Sequence, residues 1–95
     1  STGSVVIDYE NDLAYACLSA RTNQEVLQNM CEVLNLEPIL FEACDKNGLE
    51  IYHTNVMMCV ANSYAIICLD SIDSITERLS VVNSLNKFVI FIFHM

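Results

Sequence analysis

The chain has 95 residues, 54% of them hydrophobic and only 17% charged, with a formal net charge of −8. That length allows one small domain or part of a larger one. The acidic balance argues against nucleic acid and anionic membrane surfaces, because phosphate recognition needs clustered Lys and Arg, and the four basic residues are scattered at Arg21, Lys46, Arg78 and Lys87.

So apolar a small chain is expected to bury some of its faces against something it does not itself contain. STGSVVIDYE lacks the basic start and long apolar core of a secretory leader. The apolar runs fall far short of the ~20 residues that span a bilayer. Five cysteines, at 17, 31, 44, 59 and 68, are odd in number and mostly embedded in apolar runs. That pattern fits free thiols in a reducing compartment, so a cytoplasmic location is expected. No C-x-x-C pair occurs, and the Cys/His spacing does not suit a structural zinc site.

In chain order, SVVIDY (4–9) predicts a strand and Glu10-Asn11-Asp12 a polar turn. LAYACLS (13–19) predicts a second strand, apolar almost throughout and therefore buried on both faces. Thr22 and Glu25 form a capping box that opens a helix. Val26, Met30, Val33 and Leu34 give that helix an apolar face, and it should stop near Asn35, before Pro38. ILFEA (39–43) predicts the third strand. CDKNGLE (44–50) is a loop with a turn at Asn47-Gly48, where both residues tolerate positive φ. VMMCV (56–60) and YAIICLD (64–70) are strands joined by a turn at Ala61-Asn62-Ser63. Asp73 or Ser74 caps the next helix, with Ser74 and Glu77 as the box. Ile75, Leu79 and Val82 line its apolar face, and FVIFIF (88–93) is the last strand.

The chain is thus written twice. A shift of 51 residues without a gap sets Val5 on Val56, Asn11 on Asn62, Ala14 on Ala65, Cys17 on Cys68 and Ile39 on Ile90. Each half is a ββαβ unit, and neither alone can bury its apolar sheet face. In this register Thr2 matches His53 and Gly3 matches Thr54, so the loops before the first strand of each unit are equivalent and could converge on one site.

The polar triplet His53-Thr54-Asn55 stands just before an apolar strand. A lone histidine there reads most simply as a local strand cap, since one residue does not make a site. Taken together, however, the repeated ββαβ unit, STGSVV at the start, LSARTNQEV (18–26) and YHTNVMM (52–58) resemble the pentein superfamily of guanidino-group-modifying enzymes. These are the arginine deiminases, the dimethylarginine dimethylaminohydrolases and the amidinotransferases. The resemblance runs over residues 1 to about 87 and looks strongest to the arginine-deiminase-like, citrulline-utilisation branch often labelled amidinotransferase. YHTNVMM is quite specific to that branch; SxRTN is shared more widely.

The resemblance implies an α/β (α+β) fold of two consecutive ββαβ units, over 4–43 and 55–93. They would form a single partial domain, 1–95, of a five-unit pentein propeller. It implies covalent catalysis by a cysteine thiolate that attacks a guanidinium carbon, with a histidine as general acid/base and no cofactor or metal. Residue by residue, His53 matches the catalytic histidine. Arg21 matches an arginine that contacts the substrate carboxylate in the dimethylargininases. Asn55 stands where arginine deiminases often carry an aspartate, and so departs from the family pattern at a substrate-binding position. Thr2-Gly3 matches the end of an E-G-x-D or E-G-T-G stretch whose glutamate would precede Ser1, which makes Gly3 a substrate-binding position. The small-molecule partner implied is a guanidino or ureido amino acid.

None of the five cysteines matches the family's nucleophile motif, which lies in the last unit. The reading is therefore a fragment of a guanidino-modifying hydrolase or amidinotransferase, carrying the histidine but not the nucleophile and inactive alone. The exposed apolar strand FVIFIF makes self-association through strand edges an expectation. Two alternatives are an acidic, self-associating interaction module without enzymatic activity, and an autonomous cysteine enzyme pairing His53 with Cys59 or Cys44.

Overall fold

A computed structural model of the chain describes residues 5–18, 24–45, 47–51, 54 and 57–93. Two three-stranded sheets and two α-helices make up a small α+β architecture. The first sheet has the order β1 (Val5–Asp8), β2 (Leu13–Leu18), β3 (Glu37–Glu42), with α1 (Gln24–Leu34) between β2 and β3 in sequence. The second has the order β4 (Met58–Val60), β5 (Tyr64–Ile67), β6 (Val89–Ile92), with a 3₁₀ turn at Leu69–Ser71 and α2 (Ile75–Ser84) between β5 and β6. In each sheet the first two strands are antiparallel and the second and third are parallel. A parallel pair needs a long crossover, which the helix supplies. The ββαβ order read from the sequence is therefore present twice.

Local chemistry explains most boundaries. The β1–β2 turn is held by Asp8, whose carboxylate accepts from the backbone N–H of Glu10 (3.1 Å) and Asn11 (3.2 Å) and from Asn11 Nδ2 (2.8 Å). Helix α1 ends where Asn35 enters the left-handed region (φ 57°) and Leu36 N–H returns to the Cys31 carbonyl at 2.8 Å. Such a residue terminates a helix by satisfying its orphan carbonyls. Ser74 is the N-cap of α2, its hydroxyl accepting from Glu77 N–H at 3.3 Å.

Several expectations need correction. The third strand begins at Glu37 and includes Pro38; proline is tolerated because β3 is an edge strand. The strand expected over 64–70 ends at Ile67 and gives way to the 3₁₀ turn. Of the Asn47-Gly48 pair only Gly48 takes a positive φ (80°). Asp45 makes that turn, its carboxylate accepting from Asn47 N–H and Leu49 N–H and its carbonyl from Gly48 N–H. The α2 capping box is half made, because the Glu77 carboxylate instead accepts from Glu42 N–H in β3 (3.1 Å). The expected α1 box falls on Thr22, outside the described residues.

Both helix faces also differ from expectation. α1 buries Leu27 and Cys31, whereas Val26 and Leu34 are exposed and Val33 is 80% exposed. α2 buries Val81, with Leu85 just beyond it, whereas Ile75 and Leu79 are exposed. Arg78 lies on the buried side and masks that stripe in a polarity reading. It is half-buried, and its Nε donates to the Ile72 carbonyl at 2.5 Å. A long charged side chain can lie along apolar surface while its head finds an acceptor.

The gapless 51-residue shift fails in detail. Val5 faces Ala16, but Met58 rather than Val56 faces Ile67. Leu13 faces Glu37, but Tyr64 faces Val89 rather than Phe88. The repeat is one of element order, with small slips in strand register.

The two units share one core. Tyr15, Cys17 and Phe41 of the first sheet pack with Met58, Ala65 and Ile67 of the second, together with Ile72, Val81 and Leu85. Polar ties cross the same boundary. Cys44 N–H donates to the Ser71 carbonyl (2.8 Å), and Ala43 bridges Ile72. Tyr15 OH lies 2.7 Å from Ser84 Oγ. Ser84 Oγ spends its only hydrogen on the Val81 carbonyl (2.6 Å), so Tyr15 is the donor of that pair.

Candidate functional site

The four site residues expected from the sequence, His53, Arg21, Asn55 and Gly3, all lie outside the described residues, as does His94. The described residues next to them in the chain can be located. Gly3 comes two residues before Val5, the first residue of β1. Arg21 comes three residues after Leu18, the last of β2. Thr54 is the peptide neighbour of both His53 and Asn55.

These anchors lie at one end of the first sheet. Val5 pairs with Ala16, so β1 starts beside the carboxyl end of β2, where Leu18 also stands. Thr54 Oγ1 accepts from the backbone N–H of Cys17 at 2.9 Å, again at that end. Thr54 is completely buried. Its carbonyl accepts from Met57 N–H (3.1 Å), and the Met57 carbonyl accepts from Cys68 N–H (2.7 Å) at the end of β5. The segment is thus tied to both sheets. The carboxyl ends of parallel strands are where open α/β sheets commonly bind ligands. Sequence reasoning gave Thr54 no role; its partner is 37 residues away, a separation that no local pattern reports.

The described clefts lie at the opposite end. The β1–β2 turn and the β4–β5 turn come together there, in one cleft lined by Asp8, Glu10, Val60 and Asn62 and a neighbouring one that adds Lys87 and Phe88. They pair the equivalent turns of the two units but hold none of the anchors just described.

Three of the five thiols are raised above the ordinary cysteine value. Burial pushes the Cys17 thiol up to about 11, against a smaller opposing pull from a hydrogen bond with Thr54. Burial raises the Cys31 thiol as well. The Cys44 thiol is also raised, first by desolvation and then by Asp73, Glu50 and Asp45. A catalytic thiolate needs the reverse, a site where cationic neighbours or a helix N-terminus lower the pKa. Cys68 is buried just past β5, and Cys59, in β4, is exposed. Among the described residues no group of three or more His, Cys, Asp or Glu side chains could hold a metal ion. No helix among them is long and apolar enough to cross a membrane.

Comparison with known proteins adds the family. No curated protein and no solved structure matches the chain significantly. The model of the family described as N,N dimethylarginine dimethylhydrolase, eukaryotic, matches residues 1–92. That family is of the pentein, guanidino-modifying kind to which the sequence motifs pointed, although its name is not that of the citrulline-utilisation branch. With two ββαβ sheets sharing one core and a match across nearly its whole length, the chain belongs to the eukaryotic N,N-dimethylarginine dimethylhydrolase family.

Proposed function

We propose that the chain supplies the histidine-bearing part of a hydrolase acting on N-methylated arginine, as two ββαβ units of a five-unit propeller spanning 4–43 and 55–93. The observation that carries this reading is the family match over residues 1–92. It is supported by the convergence of Val5, Leu18 and Thr54 at one end of the first sheet.

In this reading a cysteine thiolate from outside the chain attacks the guanidinium carbon of N,N-dimethylarginine. The tetrahedral adduct expels dimethylamine, which takes its proton from the His53 imidazolium. The neutral imidazole then accepts a proton from the water that attacks the thiouronium carbon, and loss of the thiolate leaves the ureido product. Arg21 pairs with the substrate carboxylate, and Gly3 and Asn55 line the pocket. Asn55 is neutral and contributes a hydrogen bond rather than a countercharge. The histidine needs a thiolate to serve, and in this reading none of the five cysteines of the chain supplies it. We also propose that the exposed edge strand β6, with Val89, Phe91 and Ile92 outward, drives self-association of the isolated chain.

The test is dimethylamine release from N,N-dimethylarginine by the purified chain. No turnover is expected. Turnover that survives His53→Ala would sink the assignment of His53, and turnover abolished by Cys44→Ala or Cys59→Ala would make the chain an autonomous cysteine enzyme.

A further inference from the structure

We propose that the outer face of α1 and the outer face of the second sheet are complementary docking surfaces, through which copies of this chain join head to tail. This rests on the self-association proposed above for β6 and names the surface that β6 and its sheet meet. The precedent for the contact lies inside the chain. Helix α2 packs on its own sheet and also against the first sheet. Its Val81 and the adjoining Leu85 are fully buried in the core that holds Tyr15 and Phe41 of the first sheet. Ser84 Oγ accepts from the Tyr15 hydroxyl at 2.7 Å, and the Glu77 carboxylate accepts from Glu42 N–H at 3.1 Å. Positions 77, 81, 84 and 85 form one helical stripe, and the first sheet meets it with the face that carries Tyr15 and Phe41.

The chain carries a second version of each half of that contact, and both are exposed. Helix α1 begins at Gln24 and α2 at Ile75, 51 residues on, so Met30, Val33 and Leu34 stand where Val81, Ser84 and Leu85 stand. Val33 is 80% and Leu34 54% exposed, against 0% for Val81 and Leu85. Strand β2 begins at Leu13 and β5 at Tyr64, again 51 residues on, so Ile66 stands where Tyr15 stands. Ile66 pairs with Phe91, and Tyr64 with Val89. Side chains alternate along a strand, so these four share the face opposite the buried Ala65 and Ile67, and Tyr64, Val89 and Phe91 are exposed on it. Contiguous exposed apolar patches mark interaction sites, and here the internal contact shows which patch fits which. Charge favours the same pairing. Helix α1 carries Glu25 and Glu32 and no basic residue, whereas from Leu79 to Phe93 the only charged residue is Lys87. Two α1 faces would set carboxylates against carboxylates, and like-charge juxtaposition suppresses that partner. A contact between two different surfaces is heterologous, so it extends from copy to copy or closes into a ring.

Sedimentation of the chain and of two variants tests this. Val33→Lys spoils the helix face and Phe91→Lys the sheet face. Both introduce lysine, so the two spoiled faces cannot pair with each other. The unmodified chain is expected as species larger than a dimer, and each variant alone as a monomer. An equimolar mixture of the variants is expected to form a one-to-one complex of twice the monomer mass, because the intact helix of Phe91→Lys fits the intact sheet of Val33→Lys. An oligomer that persists in Val33→Lys but not in Phe91→Lys would overturn head-to-tail docking and leave self-association through β6 standing, as pairing of β6 with β6. An oligomer that persists in Phe91→Lys, or a mixture that stays monomeric, would overturn the proposal too. A monomeric unmodified chain would defeat the proposal and the self-association reading together. Should either variant lose its helical circular dichroism, Leu34→Lys replaces Val33→Lys and Val89→Lys replaces Phe91→Lys, with the same expected outcomes.

Discussion

At the residue scale, the buried titratable groups set how the chain responds to base. The Cys17 thiol is raised to about 11 by burial, and burial also raises the Tyr15 phenol, with a smaller opposing effect from its bond to Ser84. A raised acid holds its proton more tightly in the folded than in the unfolded chain. Its contribution is therefore complete below the unfolded thiol pKa near 9 and is lost as pH rises towards 11. Denaturant titrations between pH 8 and 11 should show stability falling by ~2 kcal/mol. Replacing Cys17 with Ala should flatten much of that slope, and an unchanged slope would contradict the assignment. Tyr15→Phe removes the donor to Ser84 and leaves Ser84 bonded to Val81, so a loss of about 1 kcal/mol is expected in the same titration. Not all of these residues were legible in the sequence. Cys17 could be read as buried and unreactive from its apolar run, but the reach of Tyr15 to Ser84 and of Thr54 to Cys17 is tertiary and leaves no local trace.

At the element scale, strand order and turn chemistry were legible and helix orientation was not. Asn35 announced the end of α1 and Ser74 the start of α2, because capping is a local interaction. Ser74→Ala should cost ~1 kcal/mol, measurable as a lowered unfolding midpoint. The buried faces of the helices depend on the partner. α1 carries two overlapping apolar stripes, and only contact with the sheet selects Leu27 and Cys31 over Val26 and Val33. Glu77 shows the same competition, leaving its capping role for the edge of β3. On the second sheet the edge β6 exposes Val89, Phe91 and Ile92, with Phe91 set edge-on to Tyr64 at 6.1 Å. An exposed apolar edge is a site for pairing with other chains. Phe91→Lys should therefore raise solubility and shift sedimentation towards monomer; a clean monomer from the unmodified chain would show that β6 is not the associating surface.

At the scale of the whole molecule, the two units are bound by one core, so neither should fold alone. Ile72 is fully buried and bridges Ala43 of the first unit from the second. Ile72→Ala should cost 2–5 kcal/mol, in the range of large-to-small core substitutions, with both sheets lost in one transition. The sequence repeat anticipated two equivalent ββαβ units, but not the slips in strand register, which strand pairing decides. The family motifs propose four site residues, and the described residues next to them in the chain, Val5, Leu18 and Thr54, gather at one end of the first sheet, away from the clefts among the described residues. The most direct test is to add N,N-dimethylarginine to the ¹⁵N-labelled chain and map the amide shifts. Perturbations at Val5, Leu18 and Thr54, with Tyr9–Asp12 and Ala61–Ser63 unmoved, are the result predicted. Perturbations confined to those two turns, or none at any ligand concentration, would contradict it.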